Sequence, residues 1–263
     1  MLRKIRLFTA ILLLTGIGGC YTVPETGRST LNLIPEDQLI SQSAQAFSEL
    51  KTQAPLSQNL DHNDRVQRVG RRIAAVVGDD LPEVDWEFVV FDDPSQINAF
   101  AMPGGKVGVY TGMLQVASND AQIAIVIGHE IAHVAARHAN ERVSHALLLE
   151  TGAVGLSVAT KDMEGFTRQA LASAYGLGSS LGVQLPFSRL HESEADKIGL
   201  FYAARAGYDP REALRFWENM ASAAGASKPP EFLSTHPSYS TRIQDLESLM
   251  PEALEIYRQA TGN

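Results

Sequence analysis

Two histidines and a glutamate in one short stretch carry the most informative chemistry of this sequence. His129, Glu130 and His133 form an HExxH pattern inside a run whose apolar residues recur at helical spacing. Residues four apart on an α-helix project from the same face, so the two imidazoles can bind one Zn²⁺ ion. Glu130 then lies beside the metal, where its carboxylate can take a proton from water. The pattern predicts a zinc-dependent hydrolytic site.

A third protein ligand is expected, because a catalytic zinc site has three protein ligands and one open position. The two residues that would complete an HExxHxxGxxH pattern are both alanine. His138 falls about half a turn from His129 on one continuous helix, so we expect it to be solvated or hydrogen-bonded. Glu192 and Asp196 are four residues apart in a later helical stretch. We predict that Glu192 is the third ligand, that Glu194 faces away, and that Asp196 accepts a hydrogen bond from a ligand histidine.

Several further stretches resemble the zinc metallopeptidases related to CAAX prenyl protease 1, a family that includes HtpX and periplasmic lipoproteins. They are NAFAMPGG at 98–105, TGML at 111–114, HEIAH at 129–133, ESEAD at 192–196 and THPS at 235–238. The resemblance implies a zincin-like (gluzincin) fold with a small β-sheet beside the HExxH helix. It also implies one Zn²⁺ per chain, bound by His129, His133 and Glu192, with Glu130 as the catalytic base.

The sequence context of His236 alone favours a turn, because a His-Pro pair often marks only a turn. The resemblance implies an active-site histidine, which either stabilises the oxyanion or occupies the zinc in a resting state. Arg242 is a weaker candidate for the same neighbourhood. We expect the remaining histidines, His62, His145 and His191, at the surface.

The first nineteen residues have the composition of a lipoprotein signal peptide. Three basic residues precede an apolar run at 7–17, which is too short to span a bilayer. The run ends in IGGC, similar to a bacterial lipobox, and Cys20 is the only cysteine of the chain. We therefore expect a lipid on Cys20, although a cleaved signal with an incidental cysteine is the alternative. The expected location is the cell envelope, on the periplasmic face of the outer membrane of a Gram-negative bacterium.

The rest of the chain predicts one metallopeptidase domain at 35–263, of the α+β class and mostly helical, joined to Cys20 by a flexible tether at 20–34. Helices are expected at 35–53 and 62–77 and a strand at 86–91. Two short strands flank PGGK at 103–106, which is a hairpin signal. A last helix is expected to be interrupted at Pro251.

One glycine-, alanine- and serine-rich stretch, residues 151–185, has two readings. It is either a mobile lid over the cleft or a set of loosely packed helices that cover the core. The formal net charge of −8 disfavours nucleic acid as a partner.

These features predict a metalloendopeptidase that hydrolyses unfolded or misassembled cell-envelope proteins, for protein quality control. Its partners would be those protein substrates and the membrane, through the N-terminal lipid. The alternative is a non-proteolytic chaperone or assembly factor for outer-membrane proteins that uses the same cleft. A zinc hydrolase acting on other bonds is a third class, which HExxH with a later glutamate disfavours.

Overall fold

The computed structural model of the protein describes residues 19–81, 84–153, 188–224, 230–236 and 240–262. The described elements are β1 (Cys20–Thr22), β2 (Ser29–Leu31), α1 (Glu36–Gln53), α2 (Leu60–Val77), β3 (Glu87–Phe91), β4 (Ala99–Met102), β5 (Lys106–Tyr110), α3 (Thr111–Val116), α4 (Asp120–Ala135), α5 (His138–Ala153), α6 (Arg189–Arg205), α7 (Glu212–Ala224), α8 (Glu231–Thr235) and α9 (Ser240–Thr261). The predicted class is confirmed: a mostly helical α+β fold with small sheets.

The central sheet has three strands in the order β3-β5-β4. β5 pairs in parallel with β3 and in antiparallel with β4. The β4–β5 hairpin closes through Gly104 and Gly105, whose φ angles of 79° and 77° lie in the left-handed region that glycine adopts without strain. β4 is the outer strand on the side that contacts α4. The hairpin therefore places a strand edge next to the HExxH helix.

α4 is the central helix of the fold and carries the HExxH residues. Its N-cap is Asn119, whose side chain accepts a hydrogen bond of 2.9 Å from the backbone N–H of Gln122. Its residues from Gln122 to Ala135 are all buried, because the helix packs between the sheet and α6. The helix ends before Arg137, whose φ of 55° turns the chain into α5. His138 therefore starts a new helix, and its predicted half-turn position on α4 is wrong.

α4 and α6 approach each other through two glycines. A Cβ added at Gly128 would lie 2.8 Å from the carbonyl oxygen of Gly199, and one at Gly199 would lie 2.6 Å from the backbone nitrogen of His129. Side chains larger than hydrogen would push these helices apart. The close crossing brings the first turns of α6, with Glu192 and Asp196, against the HExxH face of α4.

Residues 20–34, which we expected to be a flexible tether, form the N-terminal hairpin of β1 and β2. The hairpin packs against the domain: Val23 is buried, and the Tyr21 hydroxyl donates a hydrogen bond of 2.9 Å to the carbonyl of Ala135. The composition of this segment indicated a loose chain, whereas its few large side chains fix it by contacts distant in sequence. Cys20 is exposed at the start of β1, and its lipidation stays a prediction.

The last helix differs from the prediction, because α9 continues through Pro251. Leu246 and Ala253, on either side of the proline, are both buried, so packing against the core holds the two halves in one helix. Residues 1–18 of the predicted signal peptide and 154–185 of the predicted lid lie outside the described residues. Among the helices that are described, none is long and apolar enough to cross a membrane.

Candidate metal centre

Four buried side chains bring potential metal-ligand atoms together between α4, α6 and the end of α8. They are His129, His133, Glu192 and His236, and their ligand atoms all lie within 4.8 Å of one another. The two Nε2 atoms of His129 and His133 are 3.0 Å apart. Each lies 3.5 Å from a carboxylate oxygen of Glu192. Nδ1 of His236 lies 3.3 Å from Nε2 of His129 and 3.1 Å from Oε1 of Glu192.

These separations, from 3.0 to 3.5 Å, are close to the spacing of ligands around one metal ion. Ligands at about 2.0–2.2 Å from a tetrahedral zinc lie about 3.3–3.6 Å from one another. Imidazole nitrogens and a carboxylate are also ligand types that zinc prefers. Several acceptor atoms that face each other in a buried site need a proton or a metal ion between them, because their lone pairs otherwise repel. The donor set therefore fits a divalent metal.

Asp196 and Arg242 support two of these ligands from behind. Oδ1 of Asp196 lies 3.0 Å from Nδ1 of His129, the ring atom that faces away from the cluster. Arg242 donates two hydrogen bonds of 2.7 Å to the Asp196 carboxylate, and its Nη1 lies 2.8 Å from Oε2 of Glu192. Arg242 is only 1% exposed, and its guanidinium stacks over the ring of Trp217. The structure thus places Arg242 in direct contact with Asp196 and Glu192, although the sequence alone indicated it only weakly as a site residue.

The two site carboxylates stay ionised in this environment. Burial alone would raise the pKa of Glu192, but His236, His129 and Arg242 lower it well below its usual value. Burial also opposes ionisation of Asp196, and Arg242 and His129 again lower the pKa. Each carboxylate can therefore act as an anionic ligand or as a hydrogen-bond acceptor.

The two HExxH histidines have opposite electrostatic environments in the metal-free protein. Burial lowers the pKa of His129, but Asp196 and Glu192 more than offset that effect and raise it to about 9. Burial and the neighbouring histidines, His129 first among them, lower the pKa of His133 well below its usual value. Metal binding must displace the extra proton from His129, so uptake is expected to release protons.

Glu130 lies beside the cluster without belonging to it. Its Oε1 is 3.4 Å from Nε2 of His236, and the residue is buried. Burial raises the pKa of this carboxyl, while His236 and His129 act in the opposite direction. A buried carboxylate with a raised pKa is well suited to accept and return a proton.

His138, which we expected to be solvated or hydrogen-bonded, is buried and hydrogen-bonded, and His191, which we expected at the surface, is also buried. His138 is 0% exposed, with Nδ1 at 2.8 Å from Nδ1 of His133 and Nε2 at 2.9 Å from Oε2 of Glu194. His191 lies 3.1 Å from Oε2 of Glu141. No sequence signal marked these contacts, because each histidine has a buried acidic partner on another helix, distant in the chain. The remaining expected surface histidines differ, since His145 is exposed and His62 is half-buried.

The chain is similar to mitochondrial and bacterial metallopeptidases. It is 40% identical over 189 residues to the mitochondrial metalloendopeptidase OMA1 of Schizosaccharomyces pombe, covering 72% of this chain and 53% of that protein. It is 35% identical over 252 residues to the human mitochondrial metalloendopeptidase OMA1, covering 89% and 46%. It is 28% identical over 229 residues to the beta-barrel assembly-enhancing protease of Escherichia coli O157:H7, covering 85% and 46%. The chain thus spans about half the length of these relatives.

The predicted location on the periplasmic face of the outer membrane is wrong by this comparison. The relatives that match at 35–40% identity are named as mitochondrial enzymes, whereas the bacterial relatives match at 28%. The prediction depended on a basic start, a short apolar run and Cys20. N-terminal segments rich in basic and apolar residues serve more than one targeting system, so composition alone did not identify the compartment.

The comparisons also determine the family. The expected resemblance to CAAX prenyl protease 1 and HtpX is confirmed only for the peptidase family as a whole. The relatives named above that match this chain are OMA1 and the beta-barrel assembly-enhancing protease instead. The predicted enzyme class, a metalloendopeptidase, is confirmed by those names and by the family model for peptidase family M48, which matches residues 61–250. The chain belongs to peptidase family M48.

Proposed function

We propose that this chain is a zinc-dependent endopeptidase that hydrolyses unfolded or misassembled membrane-associated proteins, with Glu130 as the general base. The observation that carries the proposal is the cluster of buried ligand atoms beside a buried carboxylate of raised pKa. One Zn²⁺ held by His129, His133 and Glu192 would polarise the scissile carbonyl and lower the pKa of the attacking water. No covalent enzyme intermediate is required.

The side chains around the cluster then have separate tasks. Glu130 removes a proton from the attacking water and later passes it to the leaving amine. Asp196 orients the ring of His129, and Arg242 holds Asp196 and Glu192 in place.

Of its two predicted roles, the geometry favours His236 as a fourth ligand in a resting state. Its Nδ1 lies among the ligand atoms at ligand spacing, 3.3 Å from Nε2 of His129. A metal held by all four groups would lack an open position for water or a substrate carbonyl, so His236 would have to withdraw before hydrolysis. Once withdrawn, its ring can donate a hydrogen bond to the oxyanion.

The edge of β4 supports recognition of extended, unfolded segments. β4 is an outer strand of the sheet and contacts α4, which carries the HExxH residues, but its four residues are buried, so a peptide can add only once this edge is uncovered. A peptide that adds to this edge forms main-chain hydrogen bonds, which depend little on its sequence. The name of one relative, the beta-barrel assembly-enhancing protease, supports membrane-associated proteins as the substrate class.

Hydrolysis of unfolded casein by the purified chain tests this proposal. We expect cleavage that a chelator abolishes and that added Zn²⁺ restores. Glu130→Gln should bind zinc but lose about 10²–10⁴ in rate, the usual contribution of a general base. Glu212→Gln is the matched control, because Glu212 is a buried carboxylate outside the cluster.

The same assay separates proteolysis from a purely chaperone function. A wild-type chain that prevented casein aggregation without cleaving it would favour the chaperone alternative. Cleavage at wild-type rate by Glu130→Gln would overturn the role of Glu130.

A further inference from the structure

A second set of buried polar residues lies directly behind the metal centre. Nδ1 of His133 faces Nδ1 of His138 at 2.8 Å, and Nε2 of His138 faces Oε2 of Glu194 at 2.9 Å. We call this chain of three side chains, His133, His138 and Glu194, the histidine relay. The relay approaches His133 from the side opposite to the ligand cluster.

Hydrogen-bond chemistry gives the relay a direction. A carboxylate only accepts hydrogen bonds, so Nε2 of His138 donates to Glu194. A neutral imidazole that donates from one nitrogen accepts at the other, so Nδ1 of His138 accepts from Nδ1 of His133. This arrangement leaves the lone pair of His133 on Nε2, the atom that faces His129 and Glu192. The relay therefore selects the tautomer that can bind a metal.

Arg28 of the N-terminal hairpin holds the outer end of the relay. Its Nε donates to Oε2 of Glu194 at 2.7 Å, the same oxygen that His138 contacts. Its two Nη atoms donate to the carboxylate of Glu141 at 2.9 Å each. Glu141 in turn contacts His191, whose ring stacks on His138 with centroids 4.3 Å apart. Arg28 thus fixes an acceptor and a stacking partner of His138 together.

Arg28 is distant in the sequence from the residues that it contacts. It lies at 28, before the residues that the family model matches, 61–250, and 166 residues from Glu194. A segment outside that match therefore reaches the support of a candidate metal ligand.

We propose that His138 and Glu194 are positioning residues for His133, and that Arg28 ties the N-terminal hairpin to metal affinity. The inference depends on the proposed metal centre. A partner that fixes ligand orientation typically contributes 10–100-fold to metal affinity, so the relay should contribute a similar factor.

Zinc affinity of full-length variants, measured by competition with a chromophoric chelator, tests the inference. His138→Phe keeps a ring of similar shape but removes both nitrogens, and should weaken zinc binding about 10–100-fold. His138→Asn keeps an acceptor near the position of Nδ1 and should restore most of the affinity. Arg28→Gln should weaken binding by about tenfold, the lower end of that range.

Glu25→Gln is the matched control for the hairpin. Glu25 pairs with Arg205 and so also ties the hairpin to α6, but it does not contact the relay. Its zinc affinity should equal that of the wild type. Cobalt substitution adds a spectroscopic measurement, since the visible band of Co²⁺ should change in His138→Phe and stay unchanged in Glu25→Gln.

The outcomes separate this inference from the proposed metal centre. A wild-type chain that bound no zinc would overturn the metal centre and, with it, the inference. A wild type that bound zinc while His138→Phe bound it equally well would overturn the relay alone. If His138→Phe failed to fold, Arg28→Gln would be the deciding variant, because Arg28 lies near the surface. A zinc affinity of Arg28→Gln equal to that of Glu25→Gln would reject the role of Arg28.

Discussion

Replacement of Arg242 by leucine should destabilise the metal-free protein strongly. The Arg242 guanidinium is buried and makes three close contacts, two of 2.7 Å to Asp196 and one of 2.8 Å to Glu192. Leucine fills part of the volume but leaves two buried carboxylates without their cation. Removal of one partner from a buried ion pair costs about 3–5 kcal/mol of unfolding free energy. For a domain of this size that corresponds to roughly 6–20 °C in Tm.

The dependence of this loss on pH follows from the carboxylates. Arg242 lowers the pKa of both Asp196 and Glu192, so its removal raises both values. A carboxyl whose pKa is lower in the folded than in the unfolded protein stabilises the fold at pH values above its unfolded pKa, about 4. This stabilisation disappears as the pH falls through the pKa of the carboxyl in the folded protein. The stability difference between wild type and Arg242→Leu should therefore be widest near neutral pH and narrow as the solution becomes acidic.

Urea unfolding in the presence of a chelator, followed by circular dichroism across pH, measures this difference. Arg65→Leu is the control, because Arg65 pairs with Asp120 at 3.1 Å in a partly exposed bridge. An exposed pair of this kind contributes about 0–1 kcal/mol. The reasoning is refuted if Arg242→Leu costs no more than Arg65→Leu, or if its cost grows on acidification.

Three further predictions concern the crossing of α4 and α6, the binding of zinc, and the ion pairs of Glu141. Gly199→Ala should lower the unfolding free energy by about 1–3 kcal/mol and weaken zinc binding, because its Cβ would lie 2.6 Å from the backbone nitrogen of His129. Urea unfolding measures the stability, and competition with a chelator measures the zinc affinity. Zn²⁺ added at about 100 times its Kd should raise the unfolding free energy by about 2.7 kcal/mol, measured as a rise in Tm. Although burial opposes it, His191 and Arg28 lower the pKa of Glu141 to about 2. The stability lost in Glu141→Gln should therefore be full above about pH 4.5 and shrink toward pH 2, as followed by urea unfolding.

Each of these predictions has a result that would contradict it. Gly199→Ala with wild-type stability and affinity would mean that the α4–α6 crossing does not position His129. A Tm unchanged by zinc would mean that the cluster binds no metal in the folded state. A stability difference for Glu141→Gln that persisted unchanged at pH 2 would show that its ion pairs are not responsible.

The core of the site could be predicted from the sequence because its geometry is local. The spacing of His129 and His133 fixes their common face once a helix forms, and the apolar pattern with the Asn119 cap indicates that helix. The spacing of Glu192 and Asp196 works in the same way on α6. The hairpin at Gly104 was also readable, since turn residues act locally.

The supporting residues could not be predicted because their contacts are distant in the chain. The positive φ of Arg137 breaks the helical continuity on which the expected position of His138 depended. Arg28 reaches Glu194 only after the hairpin has docked, and no periodic pattern encodes that contact. The compartment was inferred from the predicted signal peptide at 1–19, and the composition of such a segment does not determine which targeting system recognises it.

The zinc content of purified chains after dialysis tests the central assignment most directly. Elemental mass spectrometry should find one zinc per wild-type chain and one per Glu212→Gln chain, whose substituted carboxylate is buried outside the cluster. Glu192→Gln should hold far less, because it loses the anionic ligand of the cluster. Full zinc occupancy in Glu192→Gln, or none in the wild type, would contradict the assignment of His129, His133 and Glu192 as the ligands.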